Sequence, residues 1–124
     1  MRLPPKNTPI KNNEVINLCE KIGGMEREIK AIYDNPPKKS FIFDGASGCP
    51  ENISKLIDEA AFPHDVRYWL GGSEDDRMVA DLKLGVDVIR RCGRSHTEAK
   101  IVFDFVRIGG VSWLPTPWRW GFGR

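Results

Sequence analysis

The sequence predicts a mostly α-helical domain. Three observations carry that expectation. Apolar residues recur at three- and four-residue spacing in several segments. Those segments are bounded by capping residues and by glycine pairs at 23–24, 71–72 and 109–110. No stretch alternates apolar and polar residues long enough to make a strand pair.

Residues 1–12 hold three prolines and little apolar content, and read as an extended N-terminal arm that packs on the domain or stays loose. The helical domain spans 13–110. Asn13 is a candidate cap for a helix carrying Val15, Ile16, Leu18, Cys19 and Ile22. Gly23-Gly24 interrupts it, and Met25 to Tyr33 is again helical in propensity. Pro36-Pro37 stops any helix, because proline removes a backbone donor and excludes the α region from the residue before it. Phe41 to Phe43 reads as a short extended piece and Asp44 to Asn52 as a glycine-containing loop. Ile53 to Leu70 reads as one helix, kinked by Pro63 just before His64 and ended by Gly71-Gly72. Ser73, with Asp76 three residues on, starts a helix that runs to about Arg91, with Gly93 beyond it. Ser95 and Glu98 form a capping box for a last helix with Ala99, Val102, Phe103 and Val106 on one side. The segment 111–124 is too rich in tryptophan, proline and glycine for regular helix, and is expected to pack on the domain or on a partner.

The 124 residues make one domain, 40% hydrophobic and 29% charged. A net charge of +2, with Lys and Arg interspersed among acids, argues against a nucleic-acid binder. No apolar run approaches the roughly 18 residues of a membrane span. The stretch from Met1 to Glu14 does not read as a secretory signal. Cys19, Cys49 and Cys92 have neither disulfide-framework nor metal spacing, and suggest idle thiols in a reducing compartment unless a leader has been removed.

The chemistry concentrates in "LIDEAAFPHDVRYW", Leu56 to Trp69. Ile57, Ala60, Ala61, His64 and Tyr68 share one side of the helix, with Asp65 one position round. A histidine continuing an apolar stripe needs a polar partner. In the next helix Met78, Leu82, Gly85 and Ile89 read as the buried stripe, with Asp81 beside it. A short Gly71-Gly72 turn folds the two helices into an antiparallel pair, so that Asp81 meets His64 and Gly85 allows a close approach. A carboxylate that holds one imidazole nitrogen as N–H leaves the other free to take a proton from water. Tyr68 is placed to donate to the same aspartate. Asp65 next to a glycine loop suits a hard cation such as Ca²⁺, and Asp44, Gly45 and Gly48 give that loop its freedom to turn carbonyls inward. His96, in a cap between Ser95 and Thr97, reads as a surface residue.

Asp58 to Tyr68 resembles the active-site helix of the phospholipase A2 superfamily, which carries a His-Asp pair followed by a tyrosine. Ala60-Ala61 stand where secreted members have paired cysteines, as in the viral capsid phospholipases. Those also have a downstream A-D-x-x-L, matched here by Ala80, Asp81 and Leu84. The chain is also similar to small bacterial proteins with DG-x-S before the helix, HD-x-x-YW-x-GG in it, and a WLPTPWRWG end. The resemblance implies His64 as general base, oriented by Asp81 and Tyr68. It implies calcium on Asp65 and on loop carbonyls at Phe43, Gly45 and Gly48. The implied reaction is calcium-dependent hydrolysis of the sn-2 ester of a glycerophospholipid at a membrane surface.

The rival expectation is a catalytically inactive accessory subunit of the same fold. Its protein partner would meet Trp113, Trp118 and Trp120. An enzyme needs an open groove beside His64, an imidazole nitrogen facing it, and loop carbonyls converging on Asp65.

Overall fold

The computed structural model describes residues 2–46, 48–111, 113 and 116–124. Ser47 of the DG-x-S stretch and Leu114 and Pro115 of the WLPTPWRWG stretch lie outside the described residues. The chain is mostly helical, with 57% of it in helices. No helix among the described residues is long and apolar enough to cross a membrane.

The arm is tied down. β1 (Pro9–Ile10) pairs antiparallel with β2 (Phe41–Ile42), Pro9 opposite Ile42 and Ile10 opposite Phe41. α1 (Asn12–Ile22) starts one residue ahead of the expected cap, with Lys11 in the capping position. α2 (Glu26–Asp34) follows the glycine pair, where φ of 79° and 72° at Gly23 and Gly24 breaks the helix at little steric cost.

Expected as one helix, 53–70 is two. α3 (Glu51–Ser54) ends in a turn, and Ile57 at φ −124° leads into α4 (Asp58–Leu70). Ile53 and Ile57 are both buried, so the turn between them is fixed by packing. Pro63 falls in the second turn of α4, where it deletes one backbone bond, and the helix runs unbroken through it. α5 (Glu74–Arg90) and α6 (His96–Gly109) both open on capping boxes, Ser73 with Asp76 and Ser95 with Glu98. His96 is exposed.

α4 is the central element. Ten of its thirteen residues are buried, so it packs on nearly every side. α5 lies against it and α6 against α5. Most of the stripe expected to be buried on α5 is turned outward: Met78 is 38% and Leu82 53% exposed, a Cβ at Gly85 would touch nothing, and of the four residues Ile89 packs, partly buried, against the core. The face against α4 and α6 is Arg77, Ala80, Asp81, Leu84 and Val88. These residues share the same helical period, and their polar members enter the core because they bond there. Edge-on aromatic contacts fix the segment before the glycine loop. Phe41 meets Phe62 at 5.6 Å and Trp69 at 5.4 Å, and Phe43 meets Phe62 at 5.6 Å. The loop at 44–46 is thereby held against the turn of α4 that carries His64.

The tail folds back in turns over the end of α4. The last carbonyls of a helix have no intrahelical partners. Here the tail supplies them: Gly121 N–H donates to Tyr68 O (2.7 Å), Gly123 N–H to Trp69 O (3.1 Å) and Arg124 Nε to Leu70 O (2.8 Å). Trp120 is buried, edge-on to Tyr68 at 4.9 Å, and its indole N–H donates to Gly72 O (2.9 Å). Trp118 is partly buried, and Trp113 is 79% exposed. A Cβ at Gly123 would stand 2.4 Å from Trp69 Cδ1. Gly123→Ala is therefore expected to destabilise the fold by about 1–3 kcal/mol through overpacking, read as a lowered urea midpoint at constant slope.

All three cysteines are free. Burial pushes the Cys19 thiol up to about 12, helped by the charge of Glu28, and pushes Cys49 to about 11. Thiolate is the reactive form. Iodoacetamide at pH 7.5 is expected to leave Cys19 and Cys49 unmodified in the native protein and to label them once it is unfolded, as mass spectrometry of the two samples will read.

Candidate active site

α4 and α5 bring His64 and Asp81 into contact. His64 Nε2 lies 2.8 Å from Asp81 Oδ1, and Tyr68 OH donates to that same oxygen at 2.7 Å. The second oxygen, Oδ2, accepts from Arg107 Nη1 at 2.8 Å. Asp81 has no solvent exposure. Burial alone would raise its pKa, but the hydrogen bonds from His64, Tyr68 and Arg107 prevail and hold it below the usual carboxylate range. An ionised carboxylate accepts only, so Nε2 carries the proton. Burial in turn keeps the His64 imidazole below its ordinary value, against the pull of Asp81. The ring is therefore neutral at pH 7. Its other nitrogen, Nδ1, has no partner among the described residues.

His64 lines a cavity of about 260 Å³ between α4, the 44–48 loop and α6. Ala61, Leu84, Phe105, Ile108 and Trp118 give it apolar walls. Its polar lining comes from His64, Asp65, Tyr68, Asp44 and Asp104. An apolar cavity with a few convergent polar groups is the usual form of a small-molecule site.

Two arginines that sequence reasoning missed complete the cluster. Arg107, on α6, neutralises Asp81 from the side opposite His64. Arg77, one helical turn before Asp81, is buried. It donates through Nε to Tyr68 OH (3.2 Å) and through Nη2 to the carbonyls of Val106 (3.2 Å) and Arg107 (2.6 Å). It thus caps the end of α6 and fixes Tyr68 at once. A Cβ on Gly110 would come within 2.6 Å of the Tyr68 hydroxyl, so the close approach of α6 requires glycine there. Nothing in spacing announces these contacts, because they depend on where α6 crosses α5.

The residues expected to hold calcium lie together but are turned otherwise. Asp65 is buried, and its Oδ2 accepts the backbone N–H groups of Asp44 and Gly45, both at 3.0 Å. Burial and the charge of Asp44 push its pKa well up, against those two amide bonds. The Phe43 carbonyl accepts from Asn7 N–H at 3.0 Å. Gly45 (φ 77°) is buried in the loop, whereas Gly48 (φ 91°) is exposed. Calcium takes six to eight oxygen ligands, many of them carbonyls. The loop offers Asp65 amide donors, and one expected carbonyl is already engaged. These residues do not fit a calcium site in this geometry. Among the described residues no group of three or more His, Cys, Asp or Glu side chains is arranged to hold a metal.

Comparison with protein-family models, with curated proteins and with solved structures finds no match, so the reading of this site rests on its own geometry.

Proposed function

We propose that the protein is a carboxylic ester hydrolase of phospholipase A2 type, acting on esters that carry an apolar chain. One observation carries this reading: His64 is held through Nε2 by a buried, fully bonded carboxylate, its Nδ1 has no partner among the described residues, and the residue lines an apolar cavity. In this mechanism Nδ1 takes a proton from water as the water oxygen bonds to the ester carbonyl carbon. Asp81 stabilises the imidazolium that forms, and Tyr68 and Arg107 keep Asp81 ionised and in place. Collapse of the tetrahedral intermediate breaks the bond to the alcohol oxygen, which receives the proton back from Nδ1. The walls formed by Leu84, Phe105, Ile108 and Trp118 suit an acyl chain. The phospholipase A2 resemblance makes the sn-2 ester of a glycerophospholipid the first substrate to try. The test is fatty-acid release from phosphatidylcholine and phosphatidylglycerol vesicles and from mixed micelles. Release by the wild type that His64→Gln loses supports the reading, and no release from any of these substrates by folded protein overturns it.

A second reading, an accessory subunit that keeps the helix pair for packing, draws on the outer face of α5. Met78, Val79, Leu82 and Val86 are exposed there within two turns. Folded protein without esterase activity is the result that favours it.

A further inference from the structure

We infer that the N-terminal arm, through Lys6 and Asn7, closes the 44–46 loop in the place where a phospholipase A2-type site would use calcium, so that this site is arm-locked and metal-independent. The inference takes from the hydrolytic reading only the loop's place beside the reacting ester. Its support is a set of contacts.

The pairing of Pro9–Ile10 with Phe41–Ile42 lays the arm along the segment that leads into the loop. Asn7 then turns through φ 61°, the one non-glycine residue at positive φ among those described, and its N–H takes the Phe43 carbonyl. Asparagine tolerates that conformation better than most residues. The turn delivers Lys6 onto the loop. A Cβ built on Gly45 would stand 3.1 Å from Lys6 Cε and 3.2 Å from Nζ, so the absent side chain is what admits the lysine. The Lys6 ammonium pairs with Asp58 Oδ1 at 3.0 Å. Asp58 and Asp44 are the two carboxylates whose charge bears on Asp65. The chain thus places its own cation at this group of acids. The peptide that packs under Lys6 is the one whose N–H bonds Asp65.

A calcium at Asp65 would require the 43–45 peptides to present oxygen instead. That means breaking the Asn7–Phe43 bond and both amide bonds to Asp65 together. Lys6 is therefore a positioning residue for the loop, and Asp65 is the anchor that holds the loop's amides.

The test reads calcium binding and loop protection, not hydrolysis, so its failure is separate from that of the esterase reading. Calorimetry with calcium chloride and thermal melting in calcium or in EDTA are run on wild type, Lys6→Met and Asp65→Asn. Hydrogen exchange follows the Asp44 and Gly45 amides in each. The wild type is expected to show no calcium heat at millimolar concentration, the same Tm in both buffers, and slow exchange at both amides with EDTA present. Lys6→Met, which removes the ammonium paired with Asp58, is expected to gain a calcium-induced rise in Tm of about 3 °C or more. Lys6 is partly exposed, so this variant leaves the core intact. Calcium binding by the wild type that Asp65→Asn abolishes would overturn the inference. So would Lys6→Met matching the wild type in calcium response and amide exchange.

Discussion

His64→Gln is expected to lower the proposed ester hydrolysis by about 10²–10⁴-fold, the usual worth of a general base, and to leave the protein folded. The glutamine side chain keeps an N–H donor that Asp81 Oδ1 can accept, so the buried carboxylate is not stripped of its partner on that side. What the variant lacks is a second basic nitrogen at the cavity. The expected result is therefore a near-complete loss of fatty-acid release with a Tm within a few degrees of the wild type. A variant that retains more than a tenth of the activity would remove His64 from the reaction, whatever the fold does. A cleft that merely concentrates ester beside bulk hydroxide would give that outcome.

Asp81→Ala has the largest expected effect on stability. It takes the acceptor from three donors at once: the His64 N–H, the Tyr68 hydroxyl and the Arg107 guanidinium. Arg107 is partly exposed and can turn toward water, but His64 and Tyr68 are buried and cannot. Breaking a buried pair by removing one partner costs about 3–5 kcal/mol, which in a domain of this size lowers Tm by roughly 10–25 °C. Calorimetric melting of the purified variant measures it. A drop of less than about 5 °C would mean that water replaces the carboxylate and that the cluster is not as dry as its burial indicates. The two variants separate the roles of one contact: in the proposed mechanism His64 is the base, whereas Asp81 both supports that base and joins α4, α5 and α6.

That join also shows where the sequence was readable and where it was not. Ser73 and Ser95 announced their helices correctly, because a capping box is local and needs no knowledge of the fold. The meeting of His64 with Asp81 followed from helical spacing and one short turn. The buried face of α5 did not. Met78 and Leu82 belong to the more apolar stripe yet are exposed, and the stripe containing Arg77 and Asp81 faces the core, since its polar groups are bonded there. Hydrophobic period ranks faces by transfer cost alone and cannot credit a hydrogen bond to a helix not yet placed. The two-residue pairing of the arm with Phe41–Ile42 is too short to leave a period-two signal. The direction of the loop peptides at Asp44 and Gly45 depends on Asn7 and Lys6, far away in sequence, and glycine permits either direction.

The carbonyl clamp over α4 bears on how the protein is made. Arg124 reaches back to Leu70 across 54 positions, and Trp120 to Gly72 across 48. At a ribosomal pace of about 5–20 residues per second, α4 emerges several seconds before the groups that cap it. During that interval the nascent helix ends in open carbonyls, and Tyr68 lacks the indole that later seals it. The surroundings of His64 and Tyr68 are therefore completed only after residues 120–124 have been made, and a ribosome stalled after α6 would present α4 on the nascent chain without its clamp.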